Sequence, residues 1–224
     1  MSIVFQEFPK IPRLKRDCVI TEKIDGSNAQ IHIRMADADD FDPLYDAQYG
    51  DFRIRAGSRQ RWIAPGKDTD NFGFAAWVRD NLQDLARLGE GHHYGEWYGA
   101  GIQRTYGLDH KRFALFNTAR WNPQNPNKPD CCGVVPVLYT GPMDATEAII
   151  GALKEHGSRA VPGYMYPEGV IVYHSASRQL FKQLIENDDV PKGLVKEKVK
   201  KVKGADGRRV ASDPNYTGPE RRVA

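Results

Sequence analysis

The chain has 224 residues, 40% apolar, 10% aromatic and 27% charged, a balance that excludes a mainly disordered, fibrous or collagen-like polypeptide. The length suits one domain with an appendage and is ample for a hydrophobic core. The formal charge of +3 conceals two unlike parts: residues 191–224 hold ten Lys and Arg against four acids, a net +6, and residues 1–190 hold 22 against 25, a net −3.

Residues 1–10 lack the apolar core of a signal peptide, and no later run approaches the length of a membrane span, so a soluble, cytoplasmic protein without a membrane partner is expected. A run at Cys18-Val19-Ile20 leads through Glu22-Lys23-Ile24 to Asp25-Gly26. Residues 29–35 then alternate apolar (Ala29, Ile31, Ile33, Met35) with polar (Gln30, His32, Arg34), the period of a half-buried strand. An Asp-Gly pair between two strand-like runs predicts a hairpin with a tight turn. Residues 36–50 are acidic and loop-like (Asp37, Asp39, Asp40, Asp42), and a strand follows at 52–56. Phe74, Trp77, Val78, Leu82, Leu85 and Leu88 fall at helical offsets, predicting one helix over 74–88 stopped by Gly89 and Gly91.

Further strands are expected at 93–98, 112–117, 133–139, 168–174 and 179–184, with an Asn/Pro-rich loop over 121–129. Three cysteines, two of them adjacent (Cys131, Cys132), give no disulfide framework and point to a reduced compartment. Together with His92-His93 they match no common zinc spacing. Asp144 and Glu147 are placed like a capping box for a helix carrying Ile149, Ile150 and Leu153 and ending at Gly157. Many strands with few, grouped helices predict an α+β fold with mainly antiparallel sheets. The domain is expected over 1–190. The basic tail, 191–224, holds Val195, Val199 and Val202 at helical offsets, so a short helix over 192–203 is expected and a flexible end beyond 204.

Lys23 beside the turn is, taken singly, an ordinary ion-pairing lysine. Its downstream partners change that: Gly57-Ser58-Arg59, then Tyr94-Gly95-Glu96-Trp97-Tyr98-Gly99, then Phe113-Ala114-Leu115-Phe116-Asn117, then Pro167-Glu168-Gly169-Val170-Ile171-Val172, then Leu180-Phe181-Lys182. With Lys23-Ile24-Asp25-Gly26, these segments resemble, in order, the motifs of the covalent nucleotidyltransferases: ATP-dependent DNA and RNA ligases and mRNA capping enzymes. Asn28 and the Ser58-Arg59 pair make the branch of RNA ligases that repairs nicked RNA the nearest resemblance.

The resemblance implies a nucleotidyltransferase core of two mainly antiparallel sheets flanked by helices, an ATP-grasp-like ligase fold with the nucleotide between the sheets. It implies a monomeric ligase using ATP as AMP donor and Mg²⁺ or Mn²⁺, acting on nucleic acid, RNA before DNA. Lys23 would be the nucleophile that forms lysyl-AMP. Glu22 and Ile24 would flank the adenine, Asp25 would hold the lysine or a metal-bound water, and Asn28 would contact phosphates or the reacting ends. Arg59 would hold a phosphate or the ribose, Glu96 the ribose hydroxyls, Phe116 the adenine face, Glu168 the metal and Lys182 the α-phosphate. Each role has a plain counterpart: a surface charge for Glu22, a turn amide for Asn28, a strand-end cation for Arg59, a core aromatic for Phe116.

The chemistry asks for these residue types, because a lysine near its usual pKa of about 10.4 is protonated at neutral pH and needs neighbouring cations to expose its amine. The chain departs from the family in carrying one lysine, Lys182, where two separated by one residue are usual; Arg178 is the nearest substitute. It also leaves only some thirty residues after the core, where many relatives have a further domain. A DNA ligase, a capping-type enzyme and a nucleic-acid-binding relative without sealing activity remain the alternatives.

Overall fold

A computed structural model describes residues 3–36, 41–122, 124–189, 202–203 and 209–210. The chain divides into two compact units, Met1–Glu186 and Asn187–Ala224. In the second, Val202–Lys203 (β11) pairs antiparallel with Arg209–Val210 (β12). The remainder of the helix expected over 192–203, and the end beyond 210, lie outside the described residues, as do Asp37, Asp39 and Asp40 of the acidic loop.

The first unit is built on two sheets. The larger has six strands in the order β3-β4-β2-β5-β6-β7: β2 Ser27–Met35, β3 Asp46–Tyr49, β4 Phe52–Ser58, β5 Gly91–Gly99, β6 Lys111–Leu115 and β7 Cys132–Val134. All its pairs are antiparallel except β6 with β7. The smaller has four antiparallel strands in the order β10-β9-β1-β8: β1 Asp17–Lys23, β8 Val137–Pro142, β9 Gly169–His174 and β10 Gln179–Leu184. The α+β architecture of two mainly antiparallel sheets is thus present.

Alternation decides what each face buries. On β2, Ala29, Ile31 and Ile33 pack with Ile54 and Ala56 of β4 against Phe74, Val78, Leu85 and Leu88 of the helical segment. That segment is not the single helix expected. It runs as α1 Phe74–Asp80 and α2 Leu82–Leu85, followed by a 3₁₀ turn at Ala86–Leu88, and breaks at Asn81, whose φ of −120° is not helical. The Asp70 carboxylate caps its start, accepting N–H bonds from Ala75 and Ala76 at 2.8 and 3.1 Å. On the small sheet, Cys18 and Ile20 of β1 and Val170 and Val172 of β9 pack on Ile150 and Leu153 of α3, Thr146–His156. The expected capping box at its start is absent: Ala145 is the N-cap, with no side-chain cap bond. Glu147 instead accepts a bond from Gln183 of β10 at 2.7 Å.

Two strand expectations fail for one reason. β1 and β2 form no hairpin: β1 pairs with β8 and β9, and β2 with β4 and β5. Residues 24–26 are a crossover between the sheets. The single strand expected over 133–139 is also two, β7 in the large sheet and β8 in the small one, parted at Val135-Pro136. The two crossovers meet in a third apolar cluster, where Ile24 and Val135 pack with Tyr98, Tyr106 and Ala114. Residues 46–49, read as loop, add β3 to the edge of the large sheet.

Candidate active site

Everything converges on the first crossover. Lys23 ends β1, and its ammonium is ion-paired with Glu168, just ahead of β9, 145 residues away in sequence. The register dictates the meeting, since Lys23 lies opposite Gly169. Both side chains stay in reach of solvent, 23% and 17% exposed. Lys182 on β10 lies opposite Ile171, which lies opposite Thr21. Partners across a ladder share a face, so Lys182 stands on the Lys23 face of the small sheet, away from α3.

Glu22 points the other way and is 1% exposed. It is neither a surface charge nor a free polar group beside a ligand. Its carboxylate accepts Ser158 Oγ at 2.5 Å and the N–H groups of Arg159 and Ala160 at 2.7 and 2.8 Å. The side chain therefore anchors the 158–160 loop under the site. Ile24 is also buried, 4% exposed, within the third apolar cluster, and any flanking of a base falls to its backbone.

Gly26 is where a side chain has no room. A Cβ there would lie 2.4 Å from the Trp97 carbonyl oxygen and 2.8 Å from Tyr98 Cβ. Close approach of β5, rather than the turn conformation expected from Asp-Gly, makes this residue glycine. The approach lets the Gly26 N–H donate to Glu96 Oε1 at 3.0 Å, while Asn28 Nδ2 donates to Oε2 at 2.8 Å. Asn28 is a strand residue opposite Glu96, not a turn amide. Glu96 is 6% exposed, and burial pushes its pKa up to about 7, against the opposing pull of Asn28, Lys23 and the Gly26 N–H.

Asp25 is held twice: its N–H donates to Tyr106 Oη at 2.7 Å, and its carboxylate accepts Arg104 Nε at 3.1 Å. Arg104 also donates to the Tyr166 carbonyl at 3.0 Å, tying the loop after β5 to the segment before Glu168. Neither Arg104 nor Tyr106 stood out in the sequence. The signal was the Gly99-Ala100-Gly101 stretch just past Glu96. It opens a loop in which Gln103, Thr105 and Tyr106 take φ of 42°, 57° and 55°, a conformation costly for side-chain-bearing residues and concentrated at functional sites.

Phe116 follows β6, donates its N–H to the Tyr94 carbonyl at 2.9 Å and is 41% exposed, so it is not a core aromatic. Arg59 is exposed directly after β4, where Ser58 lies opposite Ala29, beside Asn28. Arg178 does not join the site. It sits in the turn beyond His174 and Gln179, at the far end of the β9–β10 hairpin from Gly169 and Leu184. At about 3.3 Å per residue that is roughly 16 Å from the Lys23 end.

Residues 16–185 match the profile of the RNA ligase family. The chain belongs to that family. Solved structures of a Naegleria gruberi RNA ligase share the fold. A mutant with AMP and manganese is 19% identical, at a TM-score of 0.50, covering 76% of this chain and 50% of that one. Two mutants with ATP and manganese are 20% and 18% identical, each at a TM-score of 0.50 with 76% and 50% coverage. The chain therefore spans about half the length of those proteins. No curated protein matches it by sequence. Among the described residues no helix is long and apolar enough to cross a membrane.

Proposed function

We propose that the protein is an ATP-dependent RNA ligase that joins 5′-phosphate and 3′-hydroxyl ends through lysyl-AMP at Lys23. The observation that carries this reading is the Lys23–Glu168 pair facing a buried Glu96 across the Gly26 crossover. Lys23 and Glu168 are near enough to act on the Glu96 charge, which supports reading the family's motif residues from the end of β1, from β5 and from just ahead of β9 as one site. The Lys23 Nζ lone pair attacks the α-phosphorus of ATP. An N–P bond forms, the P–O bond to pyrophosphate breaks, and Nζ gives up its proton. A 5′-phosphate oxygen then displaces Lys23, which takes a proton back. Finally the 3′-hydroxyl attacks the phosphorus of the RNA 5′-phosphate, forming the new P–O bond as the bond to AMP breaks, and AMP and a proton are released.

The residues divide this work by position. Glu96 offers carboxylate oxygens to the ribose hydroxyls, Phe116 an open ring to the adenine, and Lys182 and Arg59 cations to the phosphates. Arg104, through Asp25, brings a second fixed cation to the crossover. The donor set fits a divalent cation: Glu168, with Asp25 beside it, offers hard oxygen ligands, as magnesium and manganese prefer. Among the described residues no cluster of three His, Cys, Asp or Glu side chains could hold a metal alone. A cation shared between Glu168 and substrate phosphates is consistent with that. Once bound, it would supply positive charge to the α-phosphate oxygens. The net +6 of residues 191–224 adds sequence-independent attraction for phosphate backbones.

The test is to incubate the chain with α-labelled ATP and Mg²⁺ and denature it. A retained adduct, lost in Lys23→Ala, followed by sealing of RNA ends, is expected. No adduct, or one undiminished in Lys23→Ala, would refute the assignment, and preferential labelling by GTP would point to capping.

A further inference from the structure

The face of the large sheet that carries Asn28 and Glu96 continues outward as something the adenylylation chemistry does not use. Asn28, Gln30 and His32 of β2 lie opposite Glu96, Tyr94 and His92 of β5, and His32 also lies opposite Arg55 of β4. Four rings therefore line up beyond the nucleotide cleft. His32 and His92 stack at 4.1 Å with 24° between planes, His92 and Tyr94 at 5.9 Å with 10°, and Trp62 and His92 at 6.4 Å with 23°. None of the four belongs to an apolar core cluster. His92 is exposed and Tyr94 is 53% exposed, while His32 and Trp62 are half-buried beside them, so the outer rings of the array reach solvent rather than filling an interior.

The array is pre-set. Gln30 Oε1 accepts from His92 Nδ1 at 3.2 Å, and Gln30 Nε2 donates to the Ser58 carbonyl at 3.1 Å. Arg55 lies 5.3 Å over Trp62 and is clamped by Asp46 through two bonds of 2.8 Å. His32 is pushed below its usual pKa, by burial first and then by His92, Arg34 and Arg55, which favours an uncharged ring. Arg34 and Arg55 share this face and both approach Asp46, at 4.0 and 2.8 Å, so guanidinium groups held in place border the rings.

We propose that the Trp62, His32, His92 and Tyr94 ladder is a binding platform for unpaired RNA bases adjoining the end being joined, an inference that rests on the ligase reading above. Parallel exposed rings beside arginines suit single-stranded nucleic acid, whose bases stack on aromatic faces while cations track the backbone. A paired duplex keeps its base faces covered and offers the ladder nothing to stack. The position fits as well. Tyr94 and His92 lie two and four residues from Glu96 along β5, roughly 7 and 13 Å at the rise of a strand, room for two or three bases leaving the reaction centre. The substrate this face selects is an RNA with an unpaired stretch at the junction, rather than a fully paired nick.

Fluorescence anisotropy with the full chain decides it, using a short fluorescein-labelled single-stranded oligoadenylate and the same strand annealed to its complement. Preference for the single strand is expected. His92→Ala and Trp62→Ala should each weaken it at least roughly fivefold, the lower end of base–aromatic stacking, while Trp62→Phe restores most of the affinity. Labelling by α-labelled ATP should remain intact in all three variants, which also reports their folding. Unchanged affinity in His92→Ala, an exposed residue, or equal binding of the duplex, would overturn the platform. Capture of a protein partner on this face with no RNA affinity would overturn it too. The anisotropy uses no ATP, so failure of adduct formation in the native chain would refute the ligase reading while the platform still stands or falls on binding.

Discussion

Glu96 makes a prediction whose size follows from its surroundings. Burial raises its pKa from the usual 4.5 to about 7. The native state thus holds a proton that the unfolded chain has already lost, and stability must fall as pH rises through that window. Below pH 4.5 both states are protonated and nothing is lost; above 7 both are ionised and the loss is complete. Integrating the two titrations gives a decline of about 2.5 kcal/mol between pH 5 and pH 8 from this residue alone. Glu96→Gln removes the titration while retaining an acceptor for the Gly26 N–H. Its absolute stability carries an offset, because the new amide meets the Asn28 amide. The difference between variant and native chain should nevertheless move in the variant's favour by about 2.5 kcal/mol over that range, or about 1 M in urea midpoint. Urea melts of both chains at four pH values between 5 and 8 measure this. Parallel curves, with a constant difference, would refute the reasoning and mean that Glu96 titrates as an ordinary carboxylate.

Two further substitutions separate the site from its frame. Gly26→Ala drives a Cβ into the Trp97 carbonyl; it should lower Tm by several degrees, for about 1–3 kcal/mol of overpacking. Gly151→Ala in α3, where a Cβ meets nothing within 4 Å, should hold or raise Tm in the same calorimetric scan. If Lys182 has its proposed role at the α-phosphate, Lys182→Ala should slow adduct formation about a hundredfold, and Arg178→Ala should leave the rate near native in a quenched labelling assay.

The sequence made individual strands legible but not their partners. Alternation located β2, and apolar runs located β5, β9 and β10, because those signals are local. The strand–Asp-Gly–strand string around Lys23 reads the same whether its strands pair or part, and the partners of β1 lie more than a hundred residues away. The same blindness joined β7 to β8 across Pro136. Glu22 was more legible than its reading allowed: it follows Cys18 and Ile20 at period two, so β1 alternation already assigned it to the buried face. For Arg104 and Tyr106 the local signal, Gly99-Ala100-Gly101, marks only the loop; which side chains it delivers depends on Gln103, Thr105 and Tyr106 taking positive φ against their conformational preference.

The pairing of the site's charges explains why the acidic body suits an anionic substrate. Asp25, Glu96 and Glu168 surround the crossover, three carboxylates where a polyphosphate must enter. None of them stands alone: Arg104 holds Asp25, Asn28 and the Gly26 N–H hold Glu96, and Lys23 holds Glu168. The first two arrangements leave the bridging groups in place when a nucleotide arrives. The third would not in the proposed lysyl-AMP chemistry, where Lys23 has to part from Glu168 to reach the α-phosphorus and leaves an orphaned carboxylate facing the phosphate. In that reading Glu168 would hold the divalent cation, whose positive charge would offset the carboxylate once Lys23 has left it. The Lys23–Glu168 ion pair is thus the feature from which a need for a divalent ion in the proposed reaction would follow.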